Sequence, residues 1–512
     1  MSTANPFLTQ LRQIVGETHV LTEGDLSAWE MDWRKRERGR ALAVVRPATT
    51  QQVAEVVKAC AFERVSLVPQ GGNTGMVVGS TPDASGRQIV LSLTRMNQVR
   101  TLDAANLTIT VDAGCVLQSV QETCEAAGLL FPLSMASEGS CTIGGNLGTN
   151  AGGTQVVRYG NTRELCLGLE VVTAQGEIWS GLTGLRKDNT GYDLRHLMIG
   201  SEGTLGVITA ATMKLYPLPV SQLTAFAAVP SLEAAVTLLG LAHQYLGAGL
   251  TGFEVMGRFA LSLVTKHFPQ VRVPFQANVA PTLPAARGSL PPKGAVPSPV
   301  SRSDWATRLG RPGATAGYPY CVVLENSDQE SETHARERFE RLLEVAMDDG
   351  CVLDAVVAEN ITQARQLWHI RESIPLAQAQ EGLNIKHDIS IAVSRIPEFV
   401  QQTDALLAQA YPGMRLVNYG HLGDGNLHYN VQAPEHCDAE QFLKEQENGV
   451  NALVYDQVDR FNGSISAEHG IGSLKREKLA QHKSPVALGM MRAIKLALDP
   501  QNILNPGRVL PR

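Results

Sequence analysis

This chain predicts an α+β protein built from two unlike halves, on three observations. Between Ala41 and Pro219, short strands alternate with helices and with three loops dense in glycine. Beyond the break Tyr216-Pro217-Leu218-Pro219, a β-α-β rhythm recurs three times with strands that return antiparallel, as in ferredoxin-like halves around one sheet. The chain has 512 residues, more than one hydrophobic core sustains, so two or three domains are expected.

In the first half, residues 41–45 form an apolar strand ended by Arg46-Pro47. Thr49 and Gln52 have the spacing of a capping box, and Val53, Val56, Val57 and Cys60 then line one helical face. Residues 65–68 are a strand that runs into Pro69-Gln70-Gly71-Gly72-Asn73-Thr74-Gly75. Residues 89–93 and 107–111 are further strands, and 117–127 a helix closed by Gly128. In the second half, the first β-α-β unit is 223–229, a helix from Leu232 and 252–256. The second is 320–325, a charged helix over about 330–347 and 352–357. The third is 387–393, a helix over 396–410 and a hairpin of 416–422 with 426–431. Residues 271–316, rich in Pro, Ala, Gly and Ser without periodicity, read as a mobile insertion, and the last segment, 499–508, as an irregular tail docked on the body.

Composition narrows the function. The chain is 44% hydrophobic and 18% charged with 47 glycines, an enzyme-like balance with a glycine excess. A net charge of -6 argues against a nucleic-acid partner. The basic run from Arg34 to Arg40 reads as a solvated face. Eight scattered cysteines without a Cys-x-x-Cys pair suggest a reducing compartment and neither a disulfide framework nor a zinc ribbon. The N-terminus lacks a secretory pattern and no apolar run reaches a membrane span; the apolar residues 232–246 are broken by polar ones and read as a core helix. The expected location is the cytoplasm, with peripheral attachment at the inner membrane as an alternative.

The most chemically pointed stretch is Gly420-His421-Leu422-Gly423-Asp424-Gly425-Asn426-Leu427-His428. An Asp-Gly turn between apolar runs signals a hairpin. With Asp424-Gly425 at its centre, His421 faces His428, close enough for two imidazoles to hold one metal ion. Glu468 would be the third ligand and His469 a base; three protein ligands and an open position are the pattern of a catalytic metal. In an extended segment the neighbouring Glu468 and His469 side chains diverge, so one would meet the metal and the other the substrate.

The glycine loops are residues 70–79, Ser137-Glu138-Gly139-Ser140-Cys141-Thr142-Ile143-Gly144-Gly145-Asn146 continuing to Gly153, and Ile199-Gly200-Ser201-Glu202-Gly203-Thr204-Leu205-Gly206. Glycine admits close approach of backbone N–H groups to phosphate, and Ser, Thr and Asn add donors. There is no Rossmann or Walker A motif. Three such loops in one domain fit a large diphosphate-bearing cofactor.

Together with Arg46-Pro47, these loops resemble the FAD domain of the vanillyl-alcohol-oxidase type. The second half resembles the FAD-linked oxidase C-terminal domain through Gly420–Asn426, Ala467-Glu468-His469-Gly470-Ile471-Gly472 and Asn505-Pro506-Gly507-Arg508. The branch it is most similar to holds the D-2-hydroxyglutarate and D-lactate dehydrogenases. The implied architecture is a two-subdomain FAD-binding domain, residues 41–219, behind an N-terminal helical segment, 1–40. A ferredoxin-like α+β substrate domain with an antiparallel sheet, 220–460, follows, and then a C-terminal segment, 461–512, returning to the flavin.

The resemblance implies FAD held noncovalently: residues 70–79 contain no histidine for covalent attachment, although Cys141 lies in the second loop. The residues implied to bind it are Pro69, Gln70, Gly71, Gly72, Asn73, Thr74, Gly75, Ser137, Gly139, Thr142, Gly144, Gly145, Asn146, Gly148, Gly203, Val207, Ile208 and Asn505. The implied reaction is oxidation of a D-2-hydroxy acid to the 2-oxo acid. The flavin takes the hydride at N5, a divalent metal (zinc is the expectation) sits on His421, His428 and Glu468, and His469 accepts the hydroxyl proton. Arg371 and Lys386 are the carboxylate binders, and Asn430, on the face of His428, a further substrate contact. Relatives acting on D-2-hydroxyglutarate carry a hydroxyl residue four positions after the arginine; here it is Pro375, which leaves D-lactate or another acid open. A metal-free flavoprotein oxidase using oxygen and a zinc hydrolase are the competing readings. The expected electron acceptor is an electron-transfer flavoprotein, a quinone or a cytochrome, and a homodimer is one possible assembly.

Overall fold

The structure, a computed structural model, describes residues 5–275 and 318–511. Most of the expected insertion, from residue 276 to 316, lies outside the described residues. The chain forms two units: residues 1–218 with 465–512, and residues 219–464.

The first unit holds two sheets. One is four-stranded, in the order Val20–Leu21, Ala41–Val45, Gln88–Ser92, Leu67–Gln70. Ala41–Val45 and Leu67–Gln70 both pair parallel with Gln88–Ser92 between them, which requires a crossover from one to the other, and the helix Thr50–Glu63 supplies it. That helix begins where the capping pattern predicts: Thr49 Oγ1 accepts from Gln52 N at 3.2 Å, and Gln52 Oε1 reaches back to Ala48 N at 2.8 Å. Val53, Val56, Val57 and Cys60 are fully buried on its inner face. The second sheet is antiparallel, in the order Val99–Asp103, Thr108–Asp112, Val207–Lys214, Cys166–Val172, Ile178–Gly181. Its two longest strands were not read from the sequence; Cys166–Val172 is buried at every position, so it shows no alternation to mark it.

The second unit is one eight-stranded sheet, and the neighbouring strands along it pair antiparallel. Its order is Asp354–Val357, Ser221–Val229, Tyr320–Asp328, Leu250–Gly257, Arg415–Gly420, Asn426–Gln432, with Asn384–Ile385 and Asp388–Ser390 on the last of these. The β-α-β rhythm is there, with helices Leu232–Leu246, Glu332–Asp348 and Ile396–Ala410. Each of the first two starts at a serine whose hydroxyl accepts from the third residue on. The helix Ile361–Glu381 packs Leu367, Ile370, Ile374 and Ala377 into a core with Met256, Val417 and Tyr419 of the sheet. Its apolar stripe is masked by buried polar residues, Arg371, Ser373 and Gln378, which is why periodicity alone does not reveal it.

Glu381 ends that helix and fastens it. Its carboxylate accepts from Lys266 Nζ, His267 Nε2 and Arg415 Nη1, each at 2.6 Å, and its side chain is 5% exposed. Burial raises its pKa, but the bonds from Lys266, His267 and Arg415 outweigh it and hold the carboxyl at about 2. A depressed carboxylate stabilises the fold above its ordinary pKa, about 4.5, and that contribution fades as pH falls towards 2. Replacing Glu381 by Gln is expected to lower stability by about 1–3 kcal/mol at pH 7. In thermal melts the gap between variant and parent should close between pH 4.5 and 2; a gap independent of pH would contradict the assignment.

Candidate active site: a glycine cradle and a buried carboxylate cluster

In the first unit, the three glycine loops meet. A Cβ on Gly72 would fall 1.9 Å from the Ser140 carbonyl oxygen, and one on Gly71 2.2 Å from Thr142 Oγ1. The first and second loops therefore touch through backbone that no side chain can separate. Gly203, at φ +69°, lies against the Pro69 ring, so the third loop closes on the strand that feeds the first. Gly75 and Gly148 are different: a Cβ on either meets nothing within 4 Å. Protein packing does not demand these glycines; a ligand lying against them would.

Thr142 caps the helix Ile143–Thr149, its Oγ1 accepting from Gly145 N. Ile143 N and Gly144 N donate to the carbonyls of Cys115 and Ala113, so the first N–H groups of that helix are engaged within the protein. Asn505 Oδ1 is buried without a hydrogen bond among the described residues, as a polar atom awaiting a ligand would be. Gln70 and Asn73 brace their own loop, donating to the carbonyls of Trp29 and Ser80, and of Ala28 and Met31, respectively. Asn505 is first a clamp, its Nδ2 donating to the carbonyls of Gly79 at 2.9 Å and Glu202 at 2.7 Å. Ser137 and Gly139 sit in the turn before Cys141, and Val207 and Ile208 open a buried strand beside Gly206. The Cys141 thiol is buried, which raises its pKa and makes it a poor nucleophile for covalent attachment.

Glu202 is a residue the sequence reading passed over. Its carboxylate accepts from Ile471 N and Gly472 N, both at 2.7 Å, and so grips the backbone just after His469. Gly470 has φ +80°, and a Cβ there would lie 2.7 Å from Glu202 Oε1. Ser466 Oγ donates to Gly470 O at 2.6 Å. Residues 466–470 thus form a tight turn, not an extended segment, and this corrects the expectation that Glu468 and His469 diverge: Glu468 Oε1 and His469 Nε2 are 3.4 Å apart.

The second unit holds the other cluster, and its register differs from the sequence reading. Tyr419 stands opposite His428; His421 lies beyond the strand, in a five-residue connection with a 3-10 turn at Leu422–Asp424 and Gly425 at φ +86°. Asp424-Gly425 has the sequence of a two-residue turn but is only the end of this longer connection. The offset is two positions, which preserves the face. The imidazole rings of His421 and His428 remain 5.5 Å apart, with a ligating nitrogen of each within 4.8 Å of the other.

Behind them lies Glu254, 1% exposed in the strand Leu250–Gly257. Its Oε1 accepts from His421 Nδ1 at 2.6 Å and its Oε2 from Arg371 Nε at 2.8 Å. Arg371 Nη2 is 3.3 Å from His421 Nε2. A guanidinium only donates, so Nε2 accepts and the imidazole proton sits on Nδ1. The Nε2 lone pair is thereby directed at the Arg371 guanidinium, and a cation taking it would have to displace that hydrogen bond. Burial pushes the Glu254 carboxyl up, but the Arg371 charge and the hydrogen bonds from His421 and Arg371 outweigh it and hold it below the usual carboxylate range. The Arg371 guanidinium also lies over the Tyr419 ring, 5.0 Å from its centroid.

Asn430 shares the face of His428. Its Nδ2 donates to Gln378 Oε1 at 3.1 Å and its Oδ1 accepts from His387 N at 3.1 Å, so it stiffens the site as well as facing it. Lys386 falls between Asn384, paired with Gln432, and Asp388, paired with His428; continuing that register sets it opposite Asn430. Arg371, His421, His428, Lys386 and Asn430 are thus drawn to one side of one sheet. Pro375 follows Arg371 by one turn inside the helix and offers no N–H to the Arg371 carbonyl. Glu468 and His469 belong to the first unit.

Residues 41–181 match the FAD binding domain family, and residues 218–509 match the FAD linked oxidases, C-terminal domain. The chain belongs to the FAD-linked oxidases and is an FAD-linked oxidoreductase. It is 35% identical over 506 residues to the probable mitochondrial D-2-hydroxyglutarate dehydrogenase of Oryza sativa subsp. indica, covering 99% of this chain and 82% of that one. It is 37% identical over 508 residues to the D-2-hydroxyglutarate dehydrogenase of Xanthomonas citri pv. viticola, covering 99% and 97%. Its fold is similar to that of p-cresol methylhydroxylase, with a TM-score of 0.72 at 16% identity over 99% of this chain and 97% of that one. The 4-ethylphenol oxidase of Gulosibacter chungangensis gives 0.68 at 14% identity, covering 99% and 97%. These neighbours establish the vanillyl-alcohol-oxidase type of FAD-binding fold. No helix among the described residues is long and apolar enough to cross a membrane.

The two kinds of glycine separate by mutation. Gly72→Ala is expected to misfold the loops, with loss of flavin and a lower melting temperature. Gly75→Ala should melt like the parent protein without flavin yet bind FAD at least about tenfold more weakly, since a Cβ there intrudes only on a ligand. Equal FAD affinity in Gly75→Ala, measured by fluorescence titration of the apoprotein, would remove that loop from the cradle.

Proposed function

We propose that this chain is an FAD-dependent, metal-assisted dehydrogenase that oxidises D-2-hydroxyglutarate at its CH–OH group to the 2-oxo acid. The observation that carries it is the gathering of Arg371, His421, His428, Lys386 and Asn430 on one face of the eight-stranded sheet. The substrate class follows the relatives, which are D-2-hydroxyglutarate dehydrogenases. The buried, poorly nucleophilic Cys141 and the absence of histidine from residues 70–79 support noncovalent FAD.

When bound, the flavin supplies a hydride acceptor and the divalent metal, by preference zinc, an acid for the substrate oxygen. His421 and His428 would hold the metal through ring nitrogens and Glu468 through its carboxylate. Chain reach supports the third ligand: Ser464 exchanges two backbone hydrogen bonds with Ser390, next to the His428 strand, and only three residues separate it from Glu468. Arg371 and Lys386 bind carboxylate. His469 takes the hydroxyl proton on an imidazole nitrogen as C2 gives up its hydride.

One observation favours a second acid. Pro375, a turn beyond Arg371, brings no donor for a distal carboxylate, as suits a shorter D-2-hydroxy acid such as D-lactate. Anaerobic mixing with a panel of D- and L-2-hydroxy acids decides. D-2-hydroxyglutarate should bleach the flavin fastest and the L-acids not at all; faster bleaching by D-lactate would reassign the substrate, and no bleaching by any would end the dehydrogenase reading. Removing the metal with a chelator, checked by elemental analysis, should cut turnover at least about tenfold, restored by zinc. Undiminished turnover would instead favour a metal-free oxidase. His469→Asn should keep its flavin but slow flavin reduction about 10²–10⁴-fold.

A further inference from the structure

The Glu254 carboxylate touches two of the proposed active-site residues at once, yet it is 1% exposed and is not itself a group that substrate or metal reaches. It sits in a strand whose eight residues are all buried, Leu-Thr-Gly-Phe-Glu-Val-Met-Gly. A charge there costs several kcal/mol of desolvation unless it is fully bonded. A core needing only stability would be served by an apolar residue of similar volume. The carboxylate therefore has another use, and its two oxygens show which: one takes His421 Nδ1–H and the other Arg371 Nε–H.

We propose that Glu254 is the positioning residue of the active site, setting the tautomer of His421 and the orientation of Arg371 through its two oxygens. This rests on the reading of His421 as a metal ligand and Arg371 as a carboxylate binder. With the proton held on Nδ1, Nε2 keeps the lone pair, which accepts from Arg371 Nη2 until a cation displaces that bond, and the imidazole becomes a better donor to a cation. The same carboxylate pins the Arg371 guanidinium at its inner edge while Tyr419 supports its plane. Metal holding and carboxylate recognition are thus coupled through one buried group.

Glu254→Gln tests this with little change of volume. A carboxamide has one acceptor and one donor edge, so it can satisfy His421 Nδ1–H or Arg371 Nε–H but must turn an NH2 group on the other. The expected result is a zinc affinity lower by about 10–100-fold, read by competition with a chromophoric chelator, and a raised KM for D-2-hydroxyglutarate exceeding the change in kcat. Flavin content should be unchanged. Zinc affinity and KM both at the parent values would overturn the proposal. A parent protein that binds no zinc under the same titration would instead remove the metal reading beneath it. Should the variant not fold, the parent protein suffices: with zinc bound and histidine labelled with nitrogen-15, His421, identified by comparison with His421→Asn, should carry its proton on Nδ1. A proton on Nε2 would overturn the proposal.

Discussion

A single buried carboxylate organises the second unit. Glu254 is one of the few charges in the core of the eight-stranded sheet, and its burial is tolerable only because His421 and Arg371 donate to its two oxygens. Breaking such a pair by removing one member costs about 3–5 kcal/mol, because the other is left buried and uncompensated. The hairpin connection that carries His421 and the helix that carries Arg371 come from segments fifty residues apart. Both are tied to the strand that carries Glu254. The polar cluster is thus a crosslink between three segments of the second unit.

The first unit is arranged on a different principle. There the constraint is distance of approach between backbones. Gly71 and Gly72 let one loop lie against the carbonyl and side-chain atoms of the next, and Gly203 lets a third close on Pro69. Asn505, arriving from the far end of the chain, joins the first and third loops through the carbonyls of Gly79 and Glu202. Glu202 in turn holds the backbone beyond His469. A carboxylate thus again anchors a segment of functional interest, here by accepting from main-chain N–H groups.

Particular elements show what reading the residues in order can and cannot reach. The helix Thr50–Glu63 was legible because its cap and its apolar face are local properties. The β-α-β units were legible for the same reason. The strand Cys166–Val172 was not, since burial on both faces removes alternation. The helix Ile361–Glu381 was hidden by the polar residues it buries, Arg371, Ser373 and Gln378. Glu254 carried a signal that went unused: a lone carboxylate amid Gly-Phe and Val-Met in a core strand needs a partner.

The pair His421 and His428 shows the division most clearly. Their identity, and their sharing of one face, follow from sequence alone, because side chains alternate along a strand and a slip of two positions preserves the face. The register does not: Asp424-Gly425 is locally as good a two-residue turn as the longer connection the chain adopts. Likewise the three glycine loops announce a large phosphate-bearing cofactor, but which glycines serve packing and which leave open space depends on neighbours far along the chain. The sequence determined the chemistry this protein carries and the two halves that carry it. Only tertiary structure decided that His421 and Arg371 meet on Glu254, because long-range hydrogen bonds to a buried charge leave no periodicity to read.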